Sequence, residues 1–265
     1  MADVYVNSWS EFFSAIGVAD DTVILPENAV WDMSEILPYG LQSNVTLACH
    51  KINGRGSKIK NLNLNGYAFA ASGSDAKSFE NILFTDWIGT SDWFILQSGS
   101  EWFRCAITGI TSYGQIINNN YASTPTKFAS CSINVESSAG LFRICENRAN
   151  FNYCRVEVHA PNSNEGDLAY GNYYFCELAF YAPNATAYFD VYKFENGNLL
   201  RGNLKSIPEI SRGYVEWSGF TSVYSVEAFD EDVTSPFPNY FVPCTEAQLK
   251  DAEYLRSLGF PIVVG

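Results

Sequence analysis

The chain is short of charge, and shorter still of the residues from which most enzyme and metal sites are built. Only 17% of its 265 residues are charged, and it holds two histidines and two methionines. A chain poor in Lys and Glu lacks the residues that fill the outer faces of surface helices. Basic residues are scarce in particular: 16 Lys and Arg stand against 29 Asp and Glu, a net charge of −13. A field of that sign repels nucleic-acid backbones and anionic membranes, which excludes nucleic-acid binding as a primary role. No C-x-x-C pair occurs among the seven cysteines, so neither a metal site nor a cofactor is expected. There are only two histidines, His50 and His159, and both stand at strand ends beside turn residues, which weighs against a Cys–His hydrolase. Long apolar runs are missing as well. The apolar tail Phe260–Gly265 falls far below the ~20 residues of a membrane span. The first basic residue is Lys51 and no apolar segment follows the start, so no secretion signal is expected and the cysteines should stay reduced, as in a cytoplasm.

What the chain does have is strand and turn formers, with 15% aromatic residues and 19 glycines. From Phe79 to Phe180 one pattern returns: an aromatic residue, two variable positions, a Cys or Ile, then alternating apolar and polar residues. It reads Phe79-Glu-Asn-Ile82, Trp102-Phe-Arg-Cys105, Phe128-Ala-Ser-Cys131, Phe151-Asn-Tyr-Cys154 and Tyr173-Tyr-Phe-Cys176. The last positions are separated by 23, 26, 23 and 22 residues, and a further step of 23 backwards reaches Ile59. A period of about 20–50 residues marks a repeat in which no unit buries its apolar face alone. Two-residue alternation with β-branched and aromatic inward positions makes that unit a strand. A weaker set of strands intervenes at Trp93–Leu96, Gln115–Ile117, Gly140–Ile144 and Tyr188–Tyr192. The expected fold is therefore all-β, a right-handed parallel β-helix of roughly 23-residue coils, each strand pairing with its equivalent one turn on. Ile59, Ile82, Cys105, Cys131, Cys154 and Cys176 should stack as an interior ladder, with the cysteines acting as small buried hydrophobes.

Residues 1–43 read as an N-terminal cap with the first strands. Trp9, Phe12, Phe13 and Ile16 recur on one helical face behind Ser8 or Ser10, a lid for the open end of the coil. Residues 44–203 form the coils, and 204–265 a less regular C-terminal cap with a helix near 245–258, capped by Thr245 and ended by Gly259. The order of that first helix, Asp21-Thr-Val-Ile-Leu-Pro26, then Ile52-Asn-Gly-Arg-Gly56-Ser-Lys-Ile59-Lys-Asn-Leu62 resembles the opening coils of pectate-lyase-like β-helix proteins, and most of all prophage-encoded β-helix proteins and the tail spikes and fibres of tailed bacteriophages. The resemblance implies a virion surface protein, often a homotrimer, made in the host cytoplasm without a signal peptide. Its expected partners are further copies of itself, other virion proteins and host surface polysaccharide. It carries over no catalytic residues, and the Asp-rich calcium cluster of a pectate lyase is absent.

Candidate chemistry sits on outward positions of the coils. Glycosidases need two carboxyls about 5–9.5 Å apart, and Glu157 with Glu177, three and one residues after aligned cysteines, are the best pair for a polysaccharide depolymerase. The aromatics exceed what a narrow core is expected to hold, so Trp87, Trp93, Tyr113 and Tyr121 are candidates to stack against sugar rings or to lie between subunits. The leading expectation is adhesion to host glycans, with depolymerisation as the alternative.

Overall fold

Each aromatic-x-x-Cys motif proves to be a corner. Four residues just before the ladder position, Asn81, Arg104, Ser130 and Tyr153, lie in the left-handed region with φ of 50°, 52°, 55° and 54°. One left-handed residue turns the chain and resets the alternation, so the residue three after the aromatic points inward again, where an unbroken strand would send it out. In the computed structural model these corners link strands into a parallel β-solenoid of about five full turns. The structure describes residues 2–19, 21–72, 76–91, 93–96, 99–118, 125–140, 142–145, 149–162, 171–174, 176–181, 191–195, 198–201, 223–225, 241–243, 245, 247–248 and 251–257.

Three parallel ladders make the faces. The first runs through β1 (Asp3–Tyr5), β2 (Thr22–Ile24), the start of β5 (Lys51–Lys60) and of β7 (Lys77–Gly89), then β9 (Ser100–Phe103), β12 (Thr126–Ala129), β15 (Ala149–Asn152), β17 (Gly171–Tyr174) and β19 (Val191–Glu195). The second runs through β3 (Val30–Asp32), the ends of β5 and β7, β10 (Ala106–Thr111), β13 (Ser132–Ser137), β16 (Arg155–His159), β18 (Glu177–Tyr181), β20 (Asn198–Arg201), β21 (Val223–Ser225) and β22 (Phe241–Pro243). The third is short-stranded: β4 (Val45–Leu47), β6 (Phe69–Ala71), β8 (Phe94–Ile95), β11 (Gln115–Asn118) and β14 (Arg143–Cys145). Stacking thus begins at Asp3, ahead of the 44–203 span expected for the coils, and strands as late as Phe241–Pro243 continue it.

Inside, like residues lie over like. Phe79 and Trp102 stack at 3.9 Å, Phe128 and Phe151 at 4.9 Å, and Phe151 and Tyr173 at 4.7 Å with planes 3° apart. Beside this aromatic column runs the thiol column. Register places Cys105 over Cys131, Cys131 over Cys154 and Cys154 over Cys176, and all are buried and free. The thiols do more than fill space. Cys131 Sγ donates to the carbonyls of Trp102 and Ala129 at 3.3 and 3.4 Å, and Cys176 Sγ to those of Phe151 and Tyr174 at the same distances. Cys105 Sγ likewise donates to Phe79 and Phe103 at 3.4 Å each. The Ala129 and Tyr174 carbonyls also accept from the amides of Arg104 and Tyr153 in the neighbouring coil, so at these corners the thiol is a second donor to a carbonyl the ladder already pairs.

The ladder differs from expectation at its start. Ile59 faces Phe84 and belongs one inward position further along; Ser57 faces Ile82 and is the true first rung. The reason is a wider corner, since β5 carries two extra residues there, with Arg55 at φ 50° and Gly56 at φ 82°. Ser57 does there what the cysteines do later: its hydroxyl donates to the Pro26 carbonyl and accepts from the Ala29 amide at 3.0 Å. The interior also takes a polar rung. Lys77, Ser100 and Thr126 are buried in register, with Lys77 Nζ donating to the Ala48 carbonyl at 2.8 Å.

The lid is α1 (Trp9–Ile16). Ser8 caps it by accepting from the Glu11 amide at 3.3 Å, while the Glu11 carboxylate accepts from the Asn7 amide at 2.6 Å. Phe12, Ala15 and Ile16 are buried, Trp9 meets Trp31 edge-on at 4.9 Å, and the Ile16 carbonyl accepts from the amides of Ala48 and Cys49. At the other terminus α2 spans Ala252–Ser257, shorter than the helix expected over 245–258. Asp251 accepts from the amides of Glu253 and Tyr254 and so starts a new helix, while Thr245 caps a separate turn through the Gln248 amide. Residues 188–190 of the strand expected at Tyr188–Tyr192 and the tail 260–265 lie outside the described residues.

Candidate functional site

The outer face of the second ladder gathers more chemistry than any other described surface. Its strands alternate strictly, so residues one strand spacing (~4.8 Å) apart form outward rungs. One rung is Ile88, Ile110, Glu136 and His159, on β7, β10, β13 and β16. The next is Thr108, Asn134 and Glu157, and the third is Ala106, Ser132, Arg155 and Glu177. Along the solenoid axis the face changes character. The earlier coils present Ile88 and Ile110, 51% and 54% exposed, and the later ones present Glu136, Arg155, Glu157, His159 and Glu177.

Glu157 is the fixed point of the charged end. Its Oε1 lies 2.8 Å from His159 Nε2 and its Oε2 3.5 Å from Arg155 Nη2. An ionised carboxylate only accepts, so the imidazole carries its proton on Nε2. All three side chains come from alternate positions of β16, which is why they share a face. As surface ion pairs they contribute at most about 1 kcal/mol each to stability. Their value is that they hold a carboxylate and an imidazole in set orientations. Glu136 is exposed and makes no hydrogen bond or ion pair among the described residues.

The candidates from the sequence fare unequally. Glu157 and Glu177 share the face but are not register partners: Glu177 stands opposite Arg155, and Glu157 opposite Ala179 and Asn134. The two carboxylates thus share a face in a staggered arrangement, as their unequal offsets from the cysteines imply, with Arg155 in register with Glu177. Trp87 and Trp93 are corrected outright, being 1% and 0% exposed. They stack on each other at 5.0 Å, and the space for them comes from glycines. A Cβ on Gly109 would lie 2.5 Å from the Trp87 ring, and one on Gly89 2.4 Å from it. The solenoid therefore houses more aromatic bulk than a narrow core suggests, and neither indole offers a face to a ligand. Tyr113 is 42% exposed on the turn that follows β10, with its amide donating to Thr111 Oγ1. Tyr121 lies outside the described residues.

Arg155 and His159 were given no role at this face by the sequence, which offers Glu136 only as one of several outward carboxylates and does not mark Ile88 or Ile110. The signal for the first two was present, since Arg155-x-Glu157-x-His159 is an outward triplet at strand period. Ile88 and Ile110 gave none, because an apolar residue on a strand reads as inward until the bend before it is known. The chain matches no protein-family model, no curated protein and no solved structure.

Proposed function

We propose that the protein is a rigid adhesive solenoid of a bacteriophage or prophage virion, a spike, fibre or capsid decoration that binds host polysaccharide across the outer face of its second ladder. The observation that carries this reading is the rung Ile88, Ile110, Glu136, His159, where two exposed apolar side chains adjoin a carboxylate and an imidazole at one strand spacing. Sugar rings offer the complementary surface, with C–H faces for the isoleucines and hydroxyls for Glu136, Glu157 and Asn134. A sheet of stacked coils presents those groups without the entropy loss of ordering loops. The virion assignment rests on the resemblance of the opening coils, and a homotrimer with other virion proteins as neighbours follows from the same resemblance.

A second reading, cleavage of the polysaccharide, is favoured by the 2.8 Å contact between His159 and Glu157. The two separate in one assay. The protein is incubated with capsule or wall polysaccharide, and both retention and new reducing ends are measured. Retention without new ends is the expected result; new ends that vanish in Glu157→Gln would establish the hydrolase, and neither retention nor release would remove both.

A further inference from the structure

The outward face of the second ladder also indicates which sugars it takes, an inference that rests on the adhesive reading above. Three carboxylates, Glu136, Glu157 and Glu177, stand there against one guanidinium, Arg155. Glu157 is already engaged by Arg155 and His159 and Glu177 stands opposite Arg155, so the carboxylate of this face left for a ligand is Glu136. Its rung neighbour on one side is Ile110 and on the other His159. A polymer of uronic or sialic acids would bring like charge to this face and to a chain of net charge −13. A wholly neutral polymer would forgo the attraction between the exposed Glu136 carboxylate and an opposite charge.

We infer that the polysaccharide bound here carries unsubstituted amino sugars, with an ammonium group on Glu136 and the C–H face of the adjoining ring on Ile110 and Ile88. From Ile88 to His159 the rung spans three strand spacings, about 14 Å, the length of a few sugar residues. An ammonium–carboxylate hydrogen bond is among the stronger surface contacts, and it weakens with added salt.

The test is calorimetric titration of the full chain, in mildly acidic low-salt buffer, with a glucosamine tetramer, its N-acetylated counterpart and a uronic acid tetramer. The glucosamine tetramer should bind, and Glu136→Gln should weaken it about fivefold, the loss of one exposed ion pair. Glu101→Gln, on the first ladder, should leave it within about twofold. Equal losses in the two variants would mean attraction to the acidic chain as a whole and would overturn the site. Tighter binding of the acetylated or uronic tetramer would overturn the amino-sugar class while leaving the adhesive reading intact. If none of the three binds and surface polysaccharide is not retained either, both fall together.

Discussion

A cysteine at each corner has a reason beyond size. The left-handed residue before it turns two carbonyls towards the interior, and a thiol reaches both. Cys131→Ala should therefore destabilise by about 1–3 kcal/mol, since it removes the thiol's contacts to the Trp102 and Ala129 carbonyls and leaves a small buried void. Cys131→Ser should lose less, because Ser57 already performs this task on the same ladder. Urea unfolding of the two variants decides it, and a serine variant weaker than the alanine variant would mean that packing alone matters. Burial also sets a pH dependence. It pushes the Cys49 thiol up to about 12, against about 8.5 in an unfolded chain. The folded state then keeps a proton that the unfolded state gives up, so this contribution is whole below about pH 8.5 and is lost as pH rises towards 12. Unfolding midpoints should fall across that alkaline range, and fall less steeply in Cys49→Ala. The cysteines were legible as a buried ladder because their spacing repeats. Their hydrogen bonds were not, since a thiol's partner depends on where the corner aims its carbonyls.

Among the elements, strands that repeat were readable and the exceptions were local. The motif from Phe79 to Phe180 defined strands β7 to β18 in outline because each coil repeats the last. It misplaced Ile59, because the Arg55-Gly56 insertion widens one corner without disturbing the alternation on either side. It exposed Trp87 wrongly, because the room for that ring is made by Gly109 one coil later, a long-range fact that no local pattern records. Gly109→Ala should thus be among the most damaging single-methyl additions to the chain, costing about 1–3 kcal/mol by overpacking and lowering the thermal midpoint accordingly. The lid was readable, with its cap narrowed to Ser8 or Ser10, of which the structure uses Ser8, since a helix cap is a local matter. Ser8→Ala should cost about 1 kcal/mol, visible as an earlier loss of helical signal in thermal unfolding. The C-terminal helix was overextended because Asp251 also has a capping side chain, and the structure uses it.

For the whole molecule, the solenoid turns a repeat in sequence into a ruled surface in space. Residues 22 to 26 positions apart in the chain become neighbours at one strand spacing, which is how Ile88, Ile110, Glu136 and His159 come to share a line. Half of the candidate site was legible: Glu157 from its offset to a ladder cysteine, and the outward face from alternation. Their unequal offsets from aligned cysteines already set Glu157 and Glu177 two positions out of register, but the contacts of Glu157 with Arg155 and His159 were not legible, because they depend on side-chain rotamers. The account stands on this face being where polysaccharide binds. Retention of purified surface polysaccharide by the intact protein and by Ile110→Asp tests it most directly, since that exposed side chain contributes little to the core. Retention by the parent that drops about tenfold or more in Ile110→Asp, with the unfolding midpoint unchanged, is the predicted result; equal retention by both proteins would contradict it.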